Sequence, residues 1–158
     1  MPKAKKMKRV SLQILKAVAK RGELPLAAAI QMARRRAGGH LGQYPLALLL
    51  EDGYLGMTIN HVPPPGAEEM REFSLATTLH MLTLPKGPEG ATHYHGIRSM
   101  GSLNPEHERV FLKAKGALYL DELAQKSWDR LWSLTLGFIV GVLTVLAASW
   151  AKGQLKLP

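Results

Sequence analysis

The longest uninterrupted run of apolar positions lies near the carboxyl end of the chain. Residues 131–151 read LWSLTLGFIVGVLTVLAASWA, twenty-one residues without an ionisable side chain. A helix of this length is about 31 Å long, close to the hydrocarbon thickness of a bilayer. The run therefore predicts a single transmembrane helix. The other structure that fits such a run is a buried core helix.

The residues around this run are those that favour a membrane surface. Tryptophan rings prefer the headgroup zone, and long cationic side chains can extend from the helix ends into water. Leu, Ile, Val and Phe fill ten positions of the run, which contributes about −3 to −6 kcal/mol to insertion. We expect a stalk end and transmembrane helix over 126–151 and a short tail over 152–158. The expected interface anchors are Trp128, Arg130, Trp132, Trp150 and Lys152.

Three small residues recur at intervals of four inside the run. Ser133, Gly137 and Gly141 share one face of the predicted helix. Small residues at this spacing allow two membrane helices to approach closely, so they predict a homodimer through the transmembrane helix. The alternative is that glycine is simply frequent in such helices.

Ahead of the run, apolar positions recur at helical spacing in three short segments. Ser11 is a suitable N-cap for a first helix over 11–21, and Pro25 suits the first turn of a second helix over 25–37. A third helix fits from Gly42 or Gln43 to Asp52, and residues 54–58 then have the pattern of a short strand.

Two phrases of the sequence resemble the winged-helix family. They are LLLEDGYL at residues 48–55 and VFLKAKGALYL at 110–120, where Lys113 stands in place of the threonine usual in that family. The resemblance implies an α+β, winged-helix-like domain over 10–125, in which 59–107 form an enlarged wing or insertion. The chain also resembles small bacterial and prophage winged-helix proteins that have a C-terminal transmembrane helix.

The inserted region has a less definite pattern. Residues 73–84 fit either a pair of strands or a short helix, and residues 85–92 fit a loop. After the second winged-helix phrase, a helix that begins at Ala114 or Gly116 has no proline to end it before the apolar run. We therefore expect one continuous helix that becomes the single transmembrane span.

The charge of the chain is concentrated in its first quarter. Residues 1–40 hold eleven Lys or Arg and one acidic residue, a net charge of +10, whereas residues 41–130 carry −3. Residues 1–9 are expected to form a disordered basic arm. Such a region binds anions, either nucleic-acid phosphates or the lipids of an acidic membrane leaflet. The expected contact residues are Lys3, Lys5, Lys6, Lys8, Arg9, Arg34, Arg35, Arg36 and Gln43.

Two of these expectations have alternatives. The three adjacent arginines at 34–36 also suit a solvated helix end, where cations complement the macrodipole. The third helix offers Gln43, with Tyr44 and His40 beside it, but otherwise lacks the side chains that read base edges. Either base readout is minimal, or this helix packs against something other than DNA.

The sequence offers little for catalysis. There are no cysteines, and no GxSxG, HExxH or glycine-rich phosphate loop is present. His93 and His95 would share one face of a strand, but nothing fixes a third ligand such as Glu106 or His107. We therefore predict no enzyme, no metal site and no cofactor.

These observations favour a non-catalytic membrane-anchored interaction module whose basic surface engages double-stranded DNA or anionic lipid. The first alternative is a membrane-tethered dimeric transcriptional regulator, and the second is a membrane-active phage or stress protein. No signal peptide is apparent at the amino end, and the segment after the span is short. The expected location is the bacterial inner membrane, with the N-terminal domain in the cytoplasm and the protein partner unknown.

Overall fold

The chain folds as an α+β protein that divides into two units, Met1–Leu118 and Tyr119–Pro158. A computed structural model describes residues 7, 9–34, 38–59, 68–87, 89–95, 97–99 and 104–154. Within these ranges lie five α helices: α1 (Arg9–Arg21), α2 (Leu26–Ala33), α3 (Tyr44–Glu51), α4 (Arg71–Met81) and α5 (Ala114–Gln154). Two short 3-10 helices occupy His40–Gln43 and Glu68–Met70.

Five short strands form two antiparallel sheets. The strands are β1 (Glu23–Pro25), β2 (Leu55–Met57), β3 (Thr92–Tyr94), β4 (Ile97–Ser99) and β5 (Arg109–Leu112). The larger sheet has the order β1-β5-β2, so the last strand in sequence lies in the middle, with Val110 opposite both Leu24 and Met57. Strands β3 and β4 pair with each other as a separate hairpin.

The core of the first unit is aliphatic and comes from both helices and strands. Ile14, Leu15 and Val18 of α1 are fully buried, at the three- and four-residue spacing of one helix face. They are joined by buried side chains from the other elements: Leu26, Ile30, Leu46, Leu49, Leu55, Leu75, Leu79 and Val110. This core holds α1, α3, α4 and the sheet together.

The amino-terminal elements differ from their predicted bounds for local reasons. Helix α1 begins at Arg9, so Ser11 lies inside it and is not its N-cap. The Ser11 side chain is buried, and its hydroxyl donates to the carbonyl of Pro45 at 3.3 Å. Pro25 ends strand β1 with an extended backbone, and α2 begins one residue later, at Leu26. The sequence pattern showed no sign of β1, because a three-residue strand contains no full hydrophobic repeat.

The segment that fitted either two strands or a helix is the helix α4. Its buried residues include Leu75, Ala76, Leu79 and His80, a helical spacing that places one face against the core. Helix α5 starts at Ala114, one of the two predicted positions, and continues to Gln154 without a break. It begins with a close backbone approach, because a Cβ at Gly116 would overlap the carbonyl oxygen of Tyr54.

The second unit consists of the rest of α5. This helix is long and apolar enough to cross a membrane, and none of its most apolar stretch is buried against described protein. Leu134, Phe138 and Val145 are 74%, 74% and 68% exposed. The helix therefore presents to its surroundings the kind of side chain that the first unit encloses.

Candidate functional site

The described cations of the first forty residues lie on the surface of α1 and just after α2. They are exposed side chains without an ion-pair partner among the described residues: Arg9, Lys16, Lys20, Arg21 and Arg34. Glu23, the one acidic residue in this part of the sequence, is 4.0 Å from Arg109 instead. The other predicted contact residues, Lys3, Lys5, Lys6, Lys8, Arg35 and Arg36, lie outside the described residues.

A groove of about 580 Å³ lies between α1 and α2 and is open to solvent. Its apolar surface comes from small or unbranched side chains of both helices, and two of the exposed cations stand on its rim. We call it the α1–α2 groove, and its lining residues are Ala17, Lys20, Arg21, Leu24, Ala28, Gln31 and Met32.

Gln43, which the sequence suggested as a contact residue, is fully buried. Neither of its amide atoms has a hydrogen-bond partner in the described part of the chain. A side chain enclosed in this way does not reach a ligand on the surface, so Gln43 is removed from the contact residues. It lies at the end of the 3-10 helix that precedes α3, where α4 packs closely.

One side of helix α3 is covered by its neighbours. It packs against α1, α2 and α4, and Leu46, Ala47 and Leu49 are buried. The one exposed residue of α3 is Glu51, at its last position. The partly exposed residues of this helix are Tyr44, Pro45, Leu48 and Leu50, which offer little to base edges, and the acidic Glu51 would repel the phosphates.

A cluster of aromatic and imidazole rings joins three elements that are far apart in sequence. We call it the histidine–tyrosine cluster, and it contains His40, His80, Tyr94 and His95. The hydroxyl of Tyr94 is 2.9 Å from Nδ1 of His40 and accepts the backbone N–H of the same residue at 3.3 Å. The centroid of the Tyr94 ring lies 4.6 Å from that of His80 and 4.4 Å from that of His95.

Both bonds of Tyr94 are satisfied if its hydroxyl donates to a neutral His40 Nδ1, which assigns the proton of that ring to Nε2. Burial lowers the pKa of His80 below its ordinary value of 6.5, and Arg34, His40 and His95 lower it further by charge repulsion. Nδ1 of His80 is buried and has no partner among the described groups, as is also true of Thr77 Oγ1. The surroundings of His80 therefore favour its uncharged form.

The sequence pointed to His93 and His95 as a pair, and the structure separates them. His93 is an exposed residue in the middle of β3, whereas His95 has a positive φ of 47° in the turn after the strand. Only His95 joins the cluster. Within the described ranges, no group of three or more His, Asp or Glu is arranged to hold a metal ion.

The described interface residues of α5 are all exposed. Trp128, Trp132 and Trp150 are 60%, 53% and 72% exposed, and the first two rings meet edge to face at 6.3 Å. Arg130 is also exposed, whereas the side chain of Lys152 lies outside the described residues. Exposed indole rings at both ends of an apolar stretch suit the two surfaces of a bilayer.

The two threonines inside the apolar stretch of α5 are bonded to its own backbone. Thr135 and Thr144 donate their hydroxyls to the carbonyls of Leu131 and Val140, at 2.9 and 2.8 Å. Such bonds lower the cost of placing a hydroxyl in hydrocarbon. Ser133, Gly137 and Gly141 are exposed on this helix, and a Cβ at either glycine would meet no atom within 4 Å.

Comparison with known proteins gave no relative for this chain: no protein-family model, no curated protein and no solved structure matches it.

Proposed function

We propose that this protein is a membrane-anchored, non-catalytic interaction module whose basic surface engages an anionic partner, with anionic lipid favoured over DNA. The observation that carries the proposal is the apolar stretch of α5, which none of the described protein covers. Its aliphatic and aromatic residues favour insertion by about −3 to −6 kcal/mol. In water the same residues would oppose solubility, because large exposed apolar patches drive association.

The order of elements in the first unit supports a winged-helix-like domain. The order is α1, β1, α2, α3 and β2, and β5 returns between the two strands. Three helices followed by a strand are the order expected from the resemblance to the winged-helix family. Helix α4 and the β3–β4 hairpin fall within residues 59–107, where the enlarged wing or insertion was predicted.

The choice of lipid over DNA rests on helix α3. A winged-helix protein that reads bases uses this helix, but here α4 packs against it and its one exposed residue is acidic. The exposed cations lie instead on α1 and beside α2. Cations near an anionic leaflet attract it by about 1 kcal/mol each. The cytoplasmic face of a bacterial inner membrane would therefore hold this domain.

A membrane-tethered dimeric DNA-binding regulator is the second candidate, supported by the same order of elements and by the exposed glycine face of α5. Two copies joined through Gly137 and Gly141 would present paired domains to two half-sites. Replacing Gly137 with Ile should then abolish self-association in a membrane reporter assay, while Leu146→Ile, on the opposite face of the helix, should not. An unchanged signal from Gly137→Ile would count against a dimer through this face.

The proposal is tested on the full chain expressed in a bacterial membrane and then reconstituted into nanodiscs. We expect the chain to stay in the pellet after extraction with alkaline carbonate. When the chain is held in discs of neutral lipid, its basic surface should bind added anionic vesicles. This binding should weaken steeply as the salt concentration rises. Release of the chain by carbonate would refute the anchor. Salt-sensitive binding to duplex DNA, with none to anionic vesicles, would favour the regulator.

A further inference from the structure

The α1–α2 groove combines a cationic rim with an apolar floor. Lys20 and Arg21 come from the last turn of α1, and both are exposed. Ala17, Ala28 and Met32 are partly exposed, and Leu24, which also lines the groove, is buried. None of the lining residues is acidic.

The two cations exceed what the end of α1 requires. One positive side chain in the last turn is enough to interact with the helix macrodipole, whose effect is confined to that turn. Neither cation has an ion-pair partner within the described ranges, and Glu23, the nearest acid in sequence, is 4.0 Å from Arg109. The rim therefore keeps two unpaired positive charges above an uncovered apolar surface.

The size of the groove suits a small amphipathic molecule. At about 580 Å³ it falls within the range of roughly 300–1,000 Å³ that is common for ligand sites. Alanine at positions 17 and 28 leaves this space open, since a longer side chain at either position would fill it. A ligand with an anionic head and a hydrocarbon tail would pair with the rim and cover the floor.

We propose that the α1–α2 groove binds the phosphate headgroup and the first acyl carbons of an anionic phospholipid. This inference rests on the proposed function, because insertion of α5 would keep the first unit at a high effective concentration near lipid headgroups. The apolar floor decides between lipid and DNA. A duplex presents phosphates and sugars to a binding surface, and these gain nothing from contact with Ala17, Ala28 and Met32.

The test follows a methionine that lines the groove. The full chain is labelled with ¹³C at its methionine methyl groups, reconstituted in discs of neutral lipid and titrated with short-chain phosphatidylglycerol. Met32 lines the groove, and two other methionines serve as references outside it. Met70 immediately precedes α4 and is 63% exposed, whereas Met81 is the last residue of α4 and is buried. We expect a saturable shift of the Met32 signal, with the other two unchanged. Short-chain phosphatidylcholine is the uncharged-head control and should not saturate.

Two pairs of variants separate the groove from general charge. Lys20→Ala with Arg21→Ala should weaken phosphatidylglycerol binding by about tenfold or more. Arg9→Ala with Lys16→Ala removes the same charge from α1 outside the groove and should change binding by less than about twofold. Ala28→Phe fills the floor and leaves both rim cations in place. It should abolish the Met32 response, while Ala114→Phe, an exposed position outside the groove, should not.

Each remaining outcome counts against a particular statement. Equal losses in the two charge-matched variants would overturn the groove as the site. A Met32 response to a short DNA duplex, with none to phosphatidylglycerol, would overturn lipid as the ligand. Carbonate extraction of the same preparations separates the two proposals: a membrane-integrated chain with a silent groove refutes only this inference, whereas a chain that carbonate releases refutes the proposed anchor.

Discussion

The two units of the chain use the same apolar side chains in opposite ways. In the first unit, Leu15 is fully buried and Leu49 is 2% exposed. In α5, Leu134 and Leu146 are 74% and 58% exposed. The first unit removes its leucines from water by packing them against one another, so folding alone satisfies them. The leucines of α5 have no such neighbours in the described protein and require an apolar environment from outside.

The largest expected effect comes from placing charge in α5. Val140→Arg combined with Leu143→Arg should abolish membrane integration, because two arginines near the middle of a span cost about 5–7 kcal/mol. This exceeds the gain of about 2.4 to 4.8 kcal/mol from the eight Leu, Ile, Val and Phe residues that remain in the run. Retention after carbonate extraction measures the result. Met70→Arg with Leu118→Arg places the same charges at exposed positions outside the run and should leave integration intact.

Truncating one leucine in each unit should have different effects on the stability of the first unit. Leu15→Ala should lower its free energy of unfolding by about 2–5 kcal/mol, since it leaves a cavity in the core. Leu146→Ala should change it by less than about 0.5 kcal/mol. The methyl signal of buried Met81 follows this unfolding in denaturant. Tryptophan fluorescence does not, because all three tryptophans lie in the second unit. Equal effects of the two truncations would contradict the division.

Replacing one glycine in each unit with alanine should give a smaller difference in stability. Gly116→Ala introduces a Cβ that overlaps the Tyr54 carbonyl and lies 2.8 Å from Cδ1 of Leu112, so it should destabilise the first unit by about 1–3 kcal/mol. Gly137→Ala meets no atom within 4 Å, and alanine is the better helix former by up to about 1 kcal/mol. Thermal unfolding followed by circular dichroism should therefore show a loss only for Gly116→Ala.

The smallest effect is the response to acid, which only the first unit should show. Because the pKa of His80 is below 6.5 in the folded chain, the unfolded chain binds more protons at pH values below 6.5. The contribution of uncharged His80 to the free energy of unfolding is fully present above pH 6.5. It is lost as the pH falls from 6.5 through the pKa of His80 in the folded chain. The unfolding free energy at about pH 7.5 and 5.5 measures this loss. His80→Gln should reduce the difference between the two values, and exposed His107→Gln should not.

The sequence predicted those elements whose signals are local. The apolar run of α5 and the aliphatic stripe of α1 each repeat over several turns, so their type followed directly from spacing. The bounds were less accurate where tertiary contacts decide them, as at Ser11, whose hydroxyl bonds to Pro45 in place of capping its own helix.

The site could be predicted only in part, because its parts lie far apart in the chain. Lys20 and Arg21 were visible as charge, but the groove that they border depends on how α1 packs against α2. Gln43 has the side chain of a contact residue, and only the packing of α4 shows that it is enclosed. His40 and Tyr94 are separated by 54 residues, and no spacing rule connects them.

The Tyr94 hydroxyl has a consequence for the β3–β4 hairpin. Within the described chain these two strands hydrogen bond to each other and not to β1, β5 or β2. Losing the contact with His40 therefore leaves every ladder of the larger sheet intact, and the ring of Tyr94 still packs against His80 of α4.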